Sequence, residues 1–265
     1  MLVVLLFTLT ACVSENVYVS AGRAVTEDVR TRVLPRPADE VFNQAKTMFD
    51  DLGLELAPGS QGRRLESVWM RHPLGRVGEV TAWLNDPNPL RCLLVICEIS
   101  RRGGQAARVT WQISADRPTL SGENNEVTDA GRMYYEAFWC ILARRLSRVK
   151  LAVEFGSDAL VGPPCVLHAT ESAPSLAAGD KLVAADGHAL DGLFSLMQIL
   201  LTKKPGDPLA LAVERAGQST AVTLTLPEND DPNLIPLGGI PVPHHHTLLP
   251  DTPPAEPNLH DLPNE

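Results

Sequence analysis

Apolar side chains recur every three or four residues in two stretches of the N-terminal half of the chain. The stretch over residues 37–53 predicts an amphipathic helix that ends at Gly53. The stretch over residues 127–146 predicts a second helix, with Thr128 or Asp129 as its N-cap. The predicted buried stripes are Val41, Ala45, Met48, Phe49 and Leu52 in the first helix, and Met133, Tyr134, Ala137, Phe138, Ile141 and Leu142 in the second.

Several β-prone runs accompany these helices. Residues 25–34 precede the first helix, and four further runs separate it from the second: 62–71, 77–84, 90–99 and 106–116. The order β-α-β-β-β-β-α predicts an antiparallel sheet covered on one face by helices, an α+β sandwich over residues 25–149. This pattern resembles small modules of bacterial envelope lipoproteins, and it carries no motif that dictates chemistry. We therefore interpret this domain as structural or as an interaction module.

The chain begins with the apolar segment MLVVLLFTLTAC, which is too short to span a bilayer. Its end, Leu9-Thr10-Ala11-Cys12, resembles the bacterial lipobox, although no Lys or Arg precedes the apolar run. The resemblance implies a signal peptide over residues 1–12, palmitate-like acyl chains on Cys12, and an anchor in the cell envelope. Val13 favours the outer membrane, with the protein facing the periplasm. The alternative is an ordinary apolar N-terminus with a chance cysteine.

Composition and motifs exclude several classes of function. The formal net charge of −9, without a basic cluster, argues against a nucleic-acid partner. Of the remaining cysteines, Cys92 and Cys97 are too far apart on one strand to bridge each other, and buried free thiols are the favoured interpretation for these and for Cys140 and Cys165. No metal-ligand spacing, nucleophile turn or phosphate loop occurs, so we expect no metal, no cofactor and no enzymatic activity.

The C-terminal part of the chain has a different sequence pattern, in which short β-prone runs alternate with sharp turns. A strand near Val166–Ala169 is followed by Gly179-Asp180, a short strand, Asp186-Gly187, an amphipathic helix and two further β runs. Over residues 155–226 this order resembles a PDZ domain of the circularly permuted type found in high-temperature-requirement proteases. The predicted fold is therefore α+β throughout: an antiparallel sandwich with two helices, then a small β-rich PDZ-like domain.

The PDZ resemblance implies that an extended or C-terminal peptide binds as an added strand. It assigns the peptide carboxylate to a loop of Leu160, Val161 and Gly162. It assigns strand pairing to Val166, Leu167 and His168. A second apolar column of the helix, formed by Phe194, Met197 and Leu201, is then expected to line an apolar pocket. Pro163 and Pro164 remove two backbone donors next to that loop. The alternative is a helix buried on two sides, against the first domain.

Residues 227–265 are rich in proline and acidic residues, which predicts a disordered tail. Together these features favour a lipid-anchored, non-catalytic envelope adaptor that binds a peptide of another envelope protein. A structural subunit of an envelope or secretion assembly is the first alternative. An accessory subunit of a periplasmic protease is the second.

Overall fold

The computed structural model describes residues 25–58, 60, 62–71, 92–118, 125–170 and 173–230. The signal peptide with Cys12, the β-prone run 77–84 and residues 231–265 of the predicted tail lie outside these ranges. The described chain is a mixture of antiparallel sheets and a few helices, which confirms the general class predicted from the sequence. We refer to residues 25–149 as the N-terminal unit and to residues 150–230 as the C-terminal unit.

The N-terminal unit is built on an antiparallel sheet. Its strands are β1 (Thr31–Leu34), β2 (Arg64–Glu66), β3 (Met70–Arg71), β4 (Cys92–Arg101), β5 (Ala107–Pro118) and β6 (Asn125–Asp129). The main order is β1-β5-β4-β2, with β3 also paired to β4 and β6 to β5. Side chains alternate across β4 and β5, and cross-strand partners such as Val95 with Ile113 and Cys97 with Trp111 are buried on the same face.

The buried face of this sheet contacts two helices, α2 (Ala38–Leu52) and α3 (Arg132–Leu146). The predicted stripe of α2 is buried, and Gly53 ends this helix in the left-handed conformation with φ of 74°. Trp111 stands at the centre of the contact. Its ring lies 6.3 Å from that of Phe49 and 5.5 Å from that of Phe138.

Two boundaries in this unit differ from the sequence-based prediction. Residues 25–34 are not one strand, because a short helix α1 (Glu27–Arg30) precedes β1, and the acidic Glu27 and Asp28 lie in its first turn. Residues 127–129 belong to β6 rather than to α3, whose N-cap is Gly131. The proposed caps Thr128 and Asp129 are therefore wrong, since strand pairing with β5 occupies both residues.

The C-terminal unit contains β7 (Val153–Phe155), a 3-10 helix (Ser157–Leu160), β8 (Val166–Ala169), β9 (Lys181–Ala185), β10 (His188–Ala189), α4 (Leu193–Leu200), β11 (Pro208–Arg215) and β12 (Gln218–Thr225). From β8 onwards, this order agrees with the order predicted from the sequence, except that the two-residue strand β10 was not predicted. One sheet has the order β10-β9-β11-β12, and β7 pairs with β8. The buried apolar residues of both units form one continuous core.

A short clasp joins the entry and exit of the C-terminal unit. The N–H of Lys150 donates to the carbonyl of Pro227 at 3.2 Å, and the N–H of Asn229 donates to the carbonyl of Arg148 at 2.9 Å. The amide nitrogen Nδ2 of Asn229 also donates to carbonyls at the end of α3, those of Arg144 and Ser147. Residues 227–230, which we assigned to the disordered tail, are thus paired with the main body.

The turn at Gly179-Asp180 is held by the buried carboxylate of Asp180. It accepts the N–H of Ala177 at 2.8 Å and two hydrogen bonds at 2.7 Å from the guanidinium of Arg215 on β11. Gly179 adopts a φ of 89°, which favours glycine. The two sharp turns around β9 are therefore corners of a small sheet. The first of them is cross-linked to β11 by a charged pair.

We predict that Asp180 contributes a pH-dependent part of the free energy of unfolding. The hydrogen bonds from Arg215 hold the pKa of the Asp180 carboxyl below its usual value of 3.8. As the pH falls, the unfolded chain therefore takes up the proton at a higher pH than the folded chain does. The contribution of Asp180 to the free energy of unfolding is complete above pH 3.8 and is lost as the pH falls through the lower folded-state pKa. Urea unfolding over the acid range should give a shallower fall for Asp180→Asn than for the wild type. Equal slopes would contradict the role of this pair.

Candidate functional site

The predicted peptide groove lies where the two units meet. Its proposed wall, α4, packs against α3 of the N-terminal unit, and the first apolar column of α4, formed by Leu193, Leu196 and Leu200, is buried. The three residues of the second column are Phe194, Met197 and Leu201. All three are buried, and Met197 is only 2% exposed.

The second column of α4 is therefore not an exposed apolar wall, and of its three residues only Phe194 lines the cavity of largely polar character at this interface. The ring of Phe194 lies 5.5 Å from that of Trp139 on α3, and the carbonyl of Leu200 lies within 3.4 Å of the Ser147 hydroxyl that follows α3. The expectation of a solvent-open apolar wall was wrong. The physical reason is that Phe194 packs against Trp139 of the other unit, while Met197 and Leu201 are part of the continuous core. A substitution such as Met197→Glu would consequently disturb the core as well as any groove.

The predicted carboxylate loop is also part of the packed interface. Leu160 ends the 3-10 helix and is buried, whereas Val161 and Gly162 are half-buried. The backbone of Leu160 approaches Gly192 at the start of α4 so closely that a Cβ there would lie 2.8 Å from the Leu160 carbonyl oxygen. The 3-10 helix contacts both α3 and α4.

The predicted pairing strand, β8, is not an edge strand at Val166. On one side β8 pairs with β7, where Glu154 lies opposite His168. On the other side Val166 donates its N–H to the carbonyl of Asp180 and accepts the N–H of Gly179, both at 2.8 Å. The assignment of strand addition to Val166 is therefore corrected, since both of its backbone groups already have partners. Leu167 and His168 remain exposed, and Leu167 is 39% exposed.

The interface also contains a charged pair that the sequence analysis missed. The guanidinium of Arg32 on β1 donates to both carboxylate oxygens of Glu136 on α3, at 2.9 Å and 2.7 Å. The side chain of Arg32 is 16% exposed and that of Glu136 is 3% exposed. Arg132 approaches the same carboxylate at 3.4 Å. A charged residue inside the apolar run of α3 was the signal that could have indicated this pair.

Arg32 also connects the charged pair to the C-terminal unit. Its guanidinium carbon lies 4.0 Å from the centre of the Phe194 ring and 5.3 Å from that of Trp139. These distances are within the range of cation–π attraction. Phe194 thus contacts both an aromatic ring and a cation of the N-terminal unit, and these two groups also contact each other.

A cavity of about 190 Å³ remains beside this contact. Leu160 and Phe194 of the predicted site line it, but no residue of β8 does. The rest of the lining is mainly charged or polar: Asp28, Arg32, Arg132, Glu136, Asp191, Ser195 and Gln198. This lining does not suit the apolar terminal side chain that we expected the pocket to receive.

The described residues offer little other chemistry. Cys97 and Cys140 are buried free thiols, as predicted, and burial raises the pKa of both well above 9.0, while Cys165 is also buried. Within the described ranges, no group of three or more His, Cys, Asp or Glu side chains is placed to hold a metal ion. No described helix has the length and apolar character needed to cross a membrane.

Comparison with models of protein families finds no match for this sequence, and comparison with curated proteins finds none either. Superposition on solved structures gives partial similarities. The aminopeptidase N family protein from Idiomarina loihiensis has 26% identity over 31% of this chain and 14% of its own, with a TM-score of 0.28. The HtrA-type protease AlgW with a decapeptide has 16% identity over 62% of this chain and 55% of its own, with a TM-score of 0.29.

The serine endoprotease from Yersinia pestis has 11% identity over 71% of this chain and 97% of its own, with a TM-score of 0.27. This chain therefore spans about half the length of AlgW and a smaller part of the aminopeptidase. TM-scores below 0.5 do not establish a shared fold. The description of the C-terminal unit accordingly rests on its own order of elements.

We predict that the Arg32–Glu136 pair is essential for the contact between the units. Arg32→Met removes the cation and leaves the Glu136 carboxylate buried beside only the more distant Arg132, so the free energy of unfolding should fall by about 3–5 kcal/mol. The double variant Arg32→Met with Glu136→Gln should recover part of this loss, because no buried charge is then left unpaired. Urea denaturation of the four proteins of this cycle measures the coupling.

Arg63→Met is a matched control, because it breaks the exposed pair of Arg63 with Asp39. Solvent screens such pairs, so this variant should change the free energy of unfolding far less. An equal effect of Arg32→Met and Arg63→Met would contradict the importance of the buried pair.

Proposed function

We propose that this protein is a lipid-anchored, non-catalytic scaffold of the bacterial cell envelope, in which the PDZ-like C-terminal unit is a fixed part of one body. The observation that carries this proposal is the burial of Phe194, Met197 and Leu201, the first of which packs on Trp139 of the N-terminal unit. A pocket that binds an apolar peptide side chain needs a concave apolar surface that is open to solvent. Here the corresponding surface of α4 serves the contact with α3.

The non-catalytic assignment is supported by the sequence and by the character of the cavity. No nucleophile turn or metal-ligand motif occurs in the chain. Three of the five charged side chains that line the cavity are engaged with one another, since Arg32 and Arg132 both contact Glu136. An arrangement in which the charges neutralise one another favours a structural role over acid–base chemistry.

The membrane anchor is proposed from Leu9-Thr10-Ala11-Cys12. Several acyl chains on one cysteine would give durable attachment, since each buried CH₂ group contributes about 0.8 kcal/mol. The location that we propose is the outer membrane, with the folded units in the periplasm. Partners are then other envelope proteins, and the chain contributes a surface rather than a reaction.

A peptide adaptor is the second candidate, and one specific observation favours it. Leu167 is one of two large hydrophobic side chains that are exposed among the described residues, and it belongs to the strand to which we assigned peptide contact. As a peptide adaptor, the protein would bind an extended or C-terminal peptide of another envelope protein. It would then act as an adaptor or as an accessory subunit of a periplasmic protease.

We predict that Cys12→Ser releases the protein from membranes. Without acyl chains, the proposed anchor is lost, because the N-terminal apolar segment is shorter than the roughly 20 residues that span a bilayer. Fractionation of cells expressing the wild type or the variant measures the effect, with the neighbouring substitution Thr10→Ser as a control that retains the cysteine. Retention of the Cys12→Ser protein in the membrane fraction would contradict the lipobox assignment.

We predict that the wild-type protein does not bind C-terminal hexapeptides with an apolar last residue, because the pocket expected to receive that residue is filled. Calorimetry with a peptide library tests this. The adaptor hypothesis expects instead about micromolar binding, near −8 kcal/mol, that Leu167→Glu abolishes. Leu167→Glu suits this test better than a change at Met197. Its site is exposed, and the free energy of unfolding should change by no more than about 0.5 kcal/mol.

A further inference from the structure

The strand β12 lies at one end of the sheet β10-β9-β11-β12. It is eight residues long and follows β11 through the turn Ala216-Gly217, whose φ angles of 50° and 78° are both positive. Two-residue turns of this kind join antiparallel strands in a fixed register. Accordingly, β11 and β12 pair along their whole length without a register shift, from Arg215 with Gln218 to Pro208 with Thr225.

This register determines the direction of each backbone group in β12. The residues that flank a two-residue turn form a hydrogen-bonded pair, so the even-numbered residues of β12 direct their N–H and C=O groups towards β11. Leu226, the even-numbered residue after β12, continues this alternation, because its N–H donates to the carbonyl of Asp207 at 3.0 Å. The outward backbone groups therefore belong to Ser219, Ala221, Thr223 and Thr225. Among the residues that the structure describes, none forms a strand beyond β12.

The edge of β12 lacks the features by which proteins prevent edge strands from pairing. Such features are short length, charged side chains, proline and bulges. Other peripheral strands have them: β10 has two residues, and β2 has three, including Arg64 and Glu66. The sequence of β12, QSTAVTLT, contains no charge and no proline, and the side chains of its outward residues are exposed. This strand is thus open to a further strand.

We propose that β12 pairs antiparallel with β12 of a second copy of the chain, so that the two four-stranded sheets become one continuous sheet. A two-fold axis at Val222 places Ala221 opposite Thr223 of the second copy, and Ser219 opposite its Thr225. All four outward residues of each copy then face outward residues of the other, and their N–H groups meet carbonyl groups. The facing side chains are small or β-branched, which suits cross-strand contact.

The distribution of charge makes the β12 edge the suitable place for two copies to meet. The chain carries a formal net charge of −9, so contact between most parts of two copies would oppose like charges. The β12 edge is neutral, and antiparallel pairing brings the Arg215 end of one copy towards the Glu228 end of the other. Parallel pairing would instead place the Glu228 residues of the two copies near each other. This inference is independent of the proposed scaffold function, because α4 and the interface between the units take no part in it.

Sedimentation of the full-length chain tests the proposal. The Cys12→Ser background prevents an anchor from holding copies together, and concentrations from about 1 to about 200 µM cover the range of weak dimers. We expect a monomer–dimer equilibrium that Thr223→Lys weakens about tenfold or more, since a lysine on an edge strand opposes pairing. The control Ala210→Lys adds the same charge to β11, directly beside Thr223, and should leave the equilibrium unchanged.

Hydrogen exchange of the wild-type amides gives a second measurement that needs no variant. The amides of residues 219, 221, 223 and 225 should exchange slowly only at high protein concentration, whereas those of 220, 222 and 224 should be protected at every concentration. A chain that stays monomeric throughout would overturn the proposal. If its four outward amides were nevertheless protected, another segment of the same chain would cover the edge. A dimer insensitive to Thr223→Lys would overturn the proposal as well.

Discussion

The contact between α3 and α4 is the interaction on which the arrangement of the rest depends. From Met133 to Leu146 every side chain of α3 is buried, because the sheet and α2 of the same unit cover part of this helix and α4 covers another part. The core of the N-terminal unit continues into the C-terminal unit, and Phe194 of α4 is buried against Trp139 of α3.

The chemistry of Arg32 explains how a charged pair can lie in this contact. A guanidinium is planar and less strongly hydrated than an ammonium, so it can pair with a carboxylate through its edge while its face lies on aromatic rings. Arg32 uses both properties, with Glu136 at its edge and Phe194 at its face. A lysine could form the ion pair but could not provide the flat surface. The residue type at position 32 thus connects the electrostatics of the N-terminal unit to the packing of α4.

Much of the local structure could be predicted from the sequence, because it follows from periodicity and turn chemistry. The helix over Ala38–Leu52, the long strands β4 and β5, and the hairpin around Ala216-Gly217 are examples. Short elements escaped prediction, since β7 has only three residues and too little pattern to be recognised. The main error concerned Phe194, Met197 and Leu201. An apolar column has the same sequence pattern whether it faces a ligand or a distant helix of the same chain, and only the long-range contact with Trp139 distinguishes the two.

The clasp between residues 147–150 and 227–230 has a mechanical consequence. Because entry and exit lie side by side, tension between the N-terminal unit and Asp230 would bypass the sheet of β9 to β12 and act first on the clasp. The two segments run antiparallel, with Val149 opposite Glu228. A force that pulls Asp230 away from the end of α3 would therefore break the hydrogen bonds between the segments one after another. Sequential rupture resists far less force than simultaneous shear. The C-terminal unit would therefore remain folded while its exit segment peeled away, and Asn229 would release the final carbonyls of α3.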